Sequence, residues 1–136
     1  MKPKVKRGRR VVLWLGVACL GLLPMALSCS SRKTLGAAEA FERGWSHAEK
    51  GDHDQAIADC TEAIRLDPKN ADAYYNRGNS YARKGEYDKA IADCTEAIRL
   101  NQTQPVFYVS RARAYRALGD EAKAASDEKK AQELKK

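Results

Sequence analysis

Residues 56–66, AIADCTEAIRL, recur letter for letter as residues 90–100, a tandem repeat at a spacing of 34. A period of this size marks a supersecondary unit that cannot bury its apolar face alone and must stack on copies of itself. Inside the repeated stretch Ala90, Ile91, Cys94, Ala97 and Ile98 recur at helical spacing. Gly51, Gly85 and Gly119 punctuate the middle of each unit as helix stops. Working outward, the period divides the chain into units 37–70, 71–104 and 105–136, each predicted to be a helical hairpin. Helices are expected at about 37–50, 54–66, 71–84, 88–100, 105–118 and 121–134, and Pro105 suits a first helical turn, where its missing N–H is not needed. The expected fold is all-α: a solenoid of three helix-turn-helix repeats, preceded by a signal or anchor helix. Its Ala-rich interfaces leave a small stability margin, and the polar last helix can act as a terminal cap.

The formal charge of +7 lies at one end of the chain. Lys2, Lys4, Lys6, Arg7, Arg9 and Arg10 precede any acidic residue, and without them 19 basic residues face 18 acidic ones. A nearly neutral folded part does not supply the phosphate contacts that drive nucleic-acid affinity, so nucleic acid is not an expected partner. Residues 11–27, VVLWLGVACLGLLPMAL, carry no charge and follow the basic cluster, the order of an export signal. As a helix they would reach about 26 Å, short of a roughly 30 Å hydrocarbon core, and Pro24, Gly16 and Gly21 weaken that helix further. The segment ends in Met25-Ala26-Leu27-Ser28-Cys29, which resembles the bacterial lipobox, with Leu27 where Ala or Ser is commoner. That resemblance implies cleavage after residue 28 and lipidation of Cys29, with Ser30 favouring an outer membrane; an uncleaved membrane anchor and a freely secreted protein remain the alternatives. The domain plan is a signal peptide or anchor at 1–28, a lipidated cysteine with a short tether at 29–36, and the repeat domain at 37–136.

The repeated positions carry a second resemblance. Gly44, Gly78 and Ala112 share one place in the period, Ala56, Ala90 and Ala124 another, and Ala63, Ala97 and Ala131 a third. With Pro68 closing the first unit and Tyr74, Tyr81 and Tyr87 in the second, residues 37–136 resemble the tetratricopeptide repeat. The chain departs from that family where Arg43, Arg77 and Arg111 stand in place of Leu, Ala40 and His47 in place of aromatics, and Gln102 in place of Pro. These substitutions are expected to dilute the core without breaking the period.

Chemistry has few places to reside. Cys60 and Cys94 are equivalent in adjacent units. Stacked helices lie about 8–10 Å apart while a disulfide needs Cα atoms within about 7 Å, so both read as small buried apolar residues. His47 and His53 stand where the second unit has Tyr81 and Tyr87 and read as packing residues, with no further ligands spaced for a metal. No activated nucleophile or phosphate loop is present in the sequence, so neither an enzyme nor a cofactor is expected.

The family resemblance implies that the first helix of each unit lines a concave groove. Mapped residue by residue, this places Phe41, Trp45, Tyr75, Asn76, Asn79, Arg83, Val109, Ser110, Arg113 and Arg116 in that groove. Trp45 and Phe41 would anchor a peptide, Asn76 and Asn79 would pair with its backbone, and Arg83, Arg113 and Arg116 would hold acidic groups. The alternative reading is that Trp45 and Phe41 cover the N-terminal end of the stack. The carboxylate clamp that some family members use on chaperone C-termini is poorly matched, since Asn76 is present but the lysines are missing. Unit charges run from −4 (four basic, eight acidic) through 0 (five and five) to +3 (eight and five), a gradient able to orient a peptide. The expected function is an exported, membrane-anchored scaffold or adaptor, facing the periplasm or cell surface, that holds an extended or helical segment of another protein. The alternative is a structural module that oligomerises at the membrane by end-to-end stacking.

Overall fold

The computed structural model describes residues 29–136, which form six helices: α1 (Cys29–Glu49), α2 (His53–Leu66), α3 (Ala71–Arg83), α4 (Tyr87–Leu100), α5 (Pro105–Ala117) and α6 (Glu121–Glu133). The expected signal or anchor segment at 1–28 lies outside the described residues. Each helix packs on its sequence neighbours, and α1 touches α3 as α3 touches α5, so the odd-numbered helices form one continuous wall. This is the expected three-hairpin solenoid, with five of the six helices within one residue of the sequence-predicted bounds. Among the described residues no helix is long and apolar enough to cross a membrane.

The hairpin turns repeat as closely as the sequence does. Gly51, Gly85 and Gly119 adopt φ of 83°, 79° and 81°, a left-handed conformation that a Cβ would strain. At each, the next residue's N–H bonds back to a carbonyl five residues earlier: Asp52 to His47, Glu86 to Tyr81 and Asp120 to Tyr115, all at 2.9 Å. These satisfy carbonyls that the helix end leaves open. Asn70 and Asp120 cap α3 and α6 through side-chain oxygens that accept from Ala73 N and Lys123 N, and Pro105 starts α5.

The paired helices approach closely because their contact positions are small. A Cβ added to Gly44 would lie 2.8 Å from Cys60 Sγ and 3.2 Å from its backbone N, and one on Gly78 would lie 3.1 Å from Asp93 Cβ. Around these contacts the core is mostly alanine, with Ala56, Ala63, Ala73, Ala97, Ala112 and Ala124 wholly buried. Among the described residues Phe107 is the largest fully buried side chain. Cys60 and Cys94 are buried free thiols, as the spacing argument required. Burial raises the Cys60 thiol to about 11 and the Cys94 thiol to about 12, so both stay protonated near neutral pH.

Two expectations need correction. Residues 29–36 are not an irregular tether but the first turns of α1, which begins at Cys29 instead of near 37. No proline interrupts the segment, the Thr34 hydroxyl donates to the Ser31 carbonyl at 3.0 Å, and Gly36 lies against the Leu66 side chain on α2. The second correction concerns the arginines expected to dilute the core. Arg77 Nε donates to Asp93 Oδ2 and Nη2 to Oδ1, both at 2.8 Å, while Nη1 donates to Thr61 Oγ1 at 3.1 Å. Arg111 repeats this one period later, with Nε and Nη2 each 2.8 Å from Asp127 and Nη1 3.0 Å from Thr95 Oγ1. One guanidinium therefore ties three helices together, pairing with the second helix of its own unit and that of the unit before. The fork strongly favours the charged arginine, raising the pKa of both guanidiniums mainly through the carboxylate hydrogen bonds. Arg43, with no preceding unit, makes the weaker version: Nε and Nη2 both reach Asp59 Oδ1 at 3.1 Å.

Removing Asp93 leaves a half-buried guanidinium without its counterion. Asp93→Ala should therefore cost about 1.5–3 kcal/mol by chemical denaturation. The double variant Arg77→Leu/Asp93→Ala should cost less than Asp93→Ala alone, because it leaves no such charge behind. A double variant less stable than Asp93→Ala would contradict this account.

Candidate peptide-binding groove

The groove lies along the odd-numbered helices, and α3 supplies its centre. Tyr75, Asn76, Asn79, Ser80 and Arg83 fall on one face of α3 at steps of one, three, one and three residues, the stripe a helix turns toward one side. Together with Trp45, Ala48, Glu49 and Ala82, and with His53, Ser110 and Arg113, they line a cavity of about 470 Å³. A second cavity of about 360 Å³ adjoins it, lined by Phe41, Glu42 and Asp72 and sharing Trp45, Tyr75 and Asn76 with the first. The two form one trough from the α1 end to α5. Tyr75 is held by the buried Phe107 ring, its centroid 5.2 Å away in a tilted contact, and Trp45 remains 47% exposed.

Eight of the ten residues named from the sequence line this trough: Phe41, Trp45, Tyr75, Asn76, Asn79, Arg83, Ser110 and Arg113. Val109 and Arg116 do not. Val109 is equivalent in the period to Phe41 and Tyr75, but its side chain is short where theirs are aromatic. Arg116 turns to α6, where its Nη2 lies 2.8 Å from Glu128 and its Nε 3.3 Å from Glu121. Glu128 stands where the earlier units have Cys60 and Cys94, so loss of the small apolar residue creates the partner that draws Arg116 away. Sequence reasoning missed Glu49, His53 and Ser80. Position in the period could have flagged Ser80, since it lies one turn beyond Asn76 on the same face. His53, read as a packing residue, lines the trough at the start of α2.

The trough floor is polar and unsatisfied. Asn76 is 5% exposed and Ser80 1%, yet Asn76 Nδ2, Ser80 Oγ and His53 Nδ1 have no hydrogen-bond partner. Buried polar groups are ordinarily paired, and an unpaired one costs about 1–3 kcal/mol. The walls carry charge of both signs. Arg83 and Arg113 lie toward the C-terminal units and Glu49 on α1. Among the described residues no group of three or more His, Cys, Asp or Glu side chains is placed to hold a metal ion.

Comparison with known proteins agrees with this architecture. A family model described as tetratricopeptide repeat matches residues 41–105. The chain is 30% identical to the first TPR of Spaghetti (RPAP3) bound to the HSP90 peptide SRMEEVD, with a TM-score of 0.73 over 74% of this chain and 80% of that one. This chain belongs to the tetratricopeptide-repeat family. The TPR2B-domain:pHsp70 complex of yeast Sti1 is also 30% identical, with a TM-score of 0.72 and coverage of 74% of this chain and 80% of that one. A crystal structure of MamA is 30% identical at a TM-score of 0.72, covering 77% of this chain and 61% of that one. No curated protein sequence matches the chain.

A tetratricopeptide stack that keeps unpaired polar atoms in its groove gives up some stability there. Ser80→Ala deletes the unpartnered hydroxyl and improves helix propensity, so in the full chain it should leave the thermal midpoint unchanged or raise it. A fall of several degrees would mean that the hydroxyl is satisfied in the folded protein.

Proposed function

We propose that this protein is a non-catalytic adaptor that holds a peptide segment of another protein in the trough along α1, α3 and α5. The observation carrying this reading is the pairing of a 470 Å³ cavity with buried, unpartnered Asn76 and Ser80 on its floor. Such groups are costly until an occupant supplies their hydrogen bonds, and a peptide backbone offers the carbonyls and N–H groups they need. Phe41, Trp45 and Tyr75 supply anchor area beside them. Relatives of about 30% identity solved as peptide or partner complexes support the same reading. A small repeat domain with no converging acid–base or metal constellation among its described residues suits holding better than reaction.

The adaptor is proposed to work at a membrane after export, tethered through lipid on Cys29. The basic-then-apolar N-terminus and the lipobox-like residues 25–29 motivate this. Because α1 begins at Cys29, a lipid there would join the solenoid through a helical stalk of about eight residues, some 12 Å long. That holds the trough near the membrane surface. End-to-end stacking of copies is less favoured: Lys129 occupies the place held by Thr61 and Thr95 in the preceding units. In a head-to-tail stack it would oppose Arg43 of the next copy, a like-charge contact where the interior of the stack has a hydrogen bond.

Two measurements test these proposals separately. Trp45→Ala combined with Arg113→Ala should abolish capture of the proteins that the parent chain retains from solubilised cell envelopes, with helicity by circular dichroism intact. Unchanged capture would remove the trough from consideration. Intact mass of the membrane-extracted protein should show loss of residues 1–28 and gain of acyl mass, both prevented by Cys29→Ser. A full-length, unacylated mass would discard the lipid anchor.

A further inference from the structure

We infer that the end of the trough between α3 and α5 is an anion subsite, formed by Arg83 and Arg113 above the Ser80 hydroxyl, that takes an acidic side chain from the interior of a bound peptide. This rests on the adaptor reading and adds the chemistry of one position in the occupant. The starting observation is how the arginines of the three repeats are spent. Arg43, Arg65, Arg77, Arg99, Arg111 and Arg116 each hold a carboxylate within 3.1 Å. Arg83 and Arg113 make no ion pair, and both line the same cavity. Within the three repeats, 37–136, the other six guanidiniums are neutralised and these two, in one place, are not.

The repeat does not dictate these two cations. At the position of Arg83 the first unit has Glu49 and the third Ala117, and at the position of Arg113 the earlier units have Trp45 and Asn79. The small positions that build the solenoid recur at the 34-residue spacing, and these two arginines do not. Ser80, in the lining of the same cavity, has a buried Oγ with no partner, and Asn76 Nδ2 is likewise unpartnered one turn earlier on α3. A hydroxyl donor, an amide donor and two guanidinium forks lining one cavity match an anion with oxygens in several directions, a carboxylate or phosphate.

The rest of the trough sets the direction of the occupant. Glu49 lines the same cavity from α1 and forms no ion pair with either arginine, so it disfavours an anion at that end. Toward the N-terminal ends of α1 and α3 the Phe41, Trp45 and Tyr75 surfaces take an apolar side chain. The two cavities share Trp45, Tyr75 and Asn76, so a segment can run through them without ending inside. The occupant is therefore a peptide with an apolar residue toward α1 and an acidic residue toward α5, and it needs no free C-terminus.

The full chain, applied to arrays of C-terminally amidated peptides, tests this. Each peptide carries one Leu and one Glu at varied spacing in an alanine background, beside matched arrays with Gln or phosphoserine replacing Glu, and a Gln array with a free C-terminus. At the best spacing the Glu peptide should bind about ten-fold more tightly than its Gln match at low salt, with the advantage shrinking as salt rises. Arg83→Gln and Arg113→Gln should each remove that advantage without weakening the Gln peptide, whereas Arg116→Gln should leave it in place. An advantage carried by phosphoserine but not Glu also supports the subsite and identifies phosphate as its source. Equal binding of Glu, phosphoserine and Gln peptides overturns the subsite while leaving the trough as a docking site. Binding only of the peptides with a free C-terminus overturns the interior side chain. Failure of every array overturns the adaptor reading and the subsite with it.

Discussion

A guanidinium that makes three hydrogen bonds to two partners holds this stack in register. Arg77 and Arg111 each reach an aspartate on the second helix of their own hairpin and a threonine on the second helix of the hairpin before. Alanine faces are smooth, and burying them is favourable at many relative positions of two helices. The planar fork is not so tolerant, because its hydrogen bonds weaken steeply with distance and angle. The division of labour follows: small residues let the helices approach, and the arginine selects which turn of one helix faces which turn of the next.

That register is what makes the trough. Tyr75 and Trp45 come from different hairpins, and Arg83 and Arg113 likewise, so none of the recognition surfaces belongs to one unit. The middle hairpin contributes most because it alone has neighbours on both sides, and α3 carries two of the unpartnered buried groups, Asn76 and Ser80. A thin alanine core can tolerate few such groups, and their concentration on one face sets that face apart from the rest of the molecule.

The repeat made most of the fold legible. Helix bounds, left-handed glycines and buried alanines follow from residues that recur every 34 positions, and each is a local or nearest-neighbour property. The misreadings arose where a residue's role depends on a partner far along the chain. Arg77 looks like a polar intrusion in its own helix, and its partners lie 16 residues away on either side. Arg116 looks like a groove residue until Glu128 is seen across the hairpin. Phe107, which supports Tyr75 from the next unit, carries no periodic signal, because no other unit has an aromatic there. The helical run from Cys29 was missed for a different reason: it lies before the first repeat, where no second copy exists for comparison.

By itself, then, the sequence determined an all-helical stack of three hairpins, the places where its turns fall, and which helices face the trough. Tandem identity imposes identical local structure, and short-range geometry carries that information in full. Only the tertiary structure decided which polar side chains are spent on one another and which remain for an occupant. Charges and hydrogen-bond donors are assigned by distances between helices that the linear order does not encode. That Arg83 and Arg113 stay unpaired while six other arginines of the repeats hold carboxylates follows from the company that folding brings them.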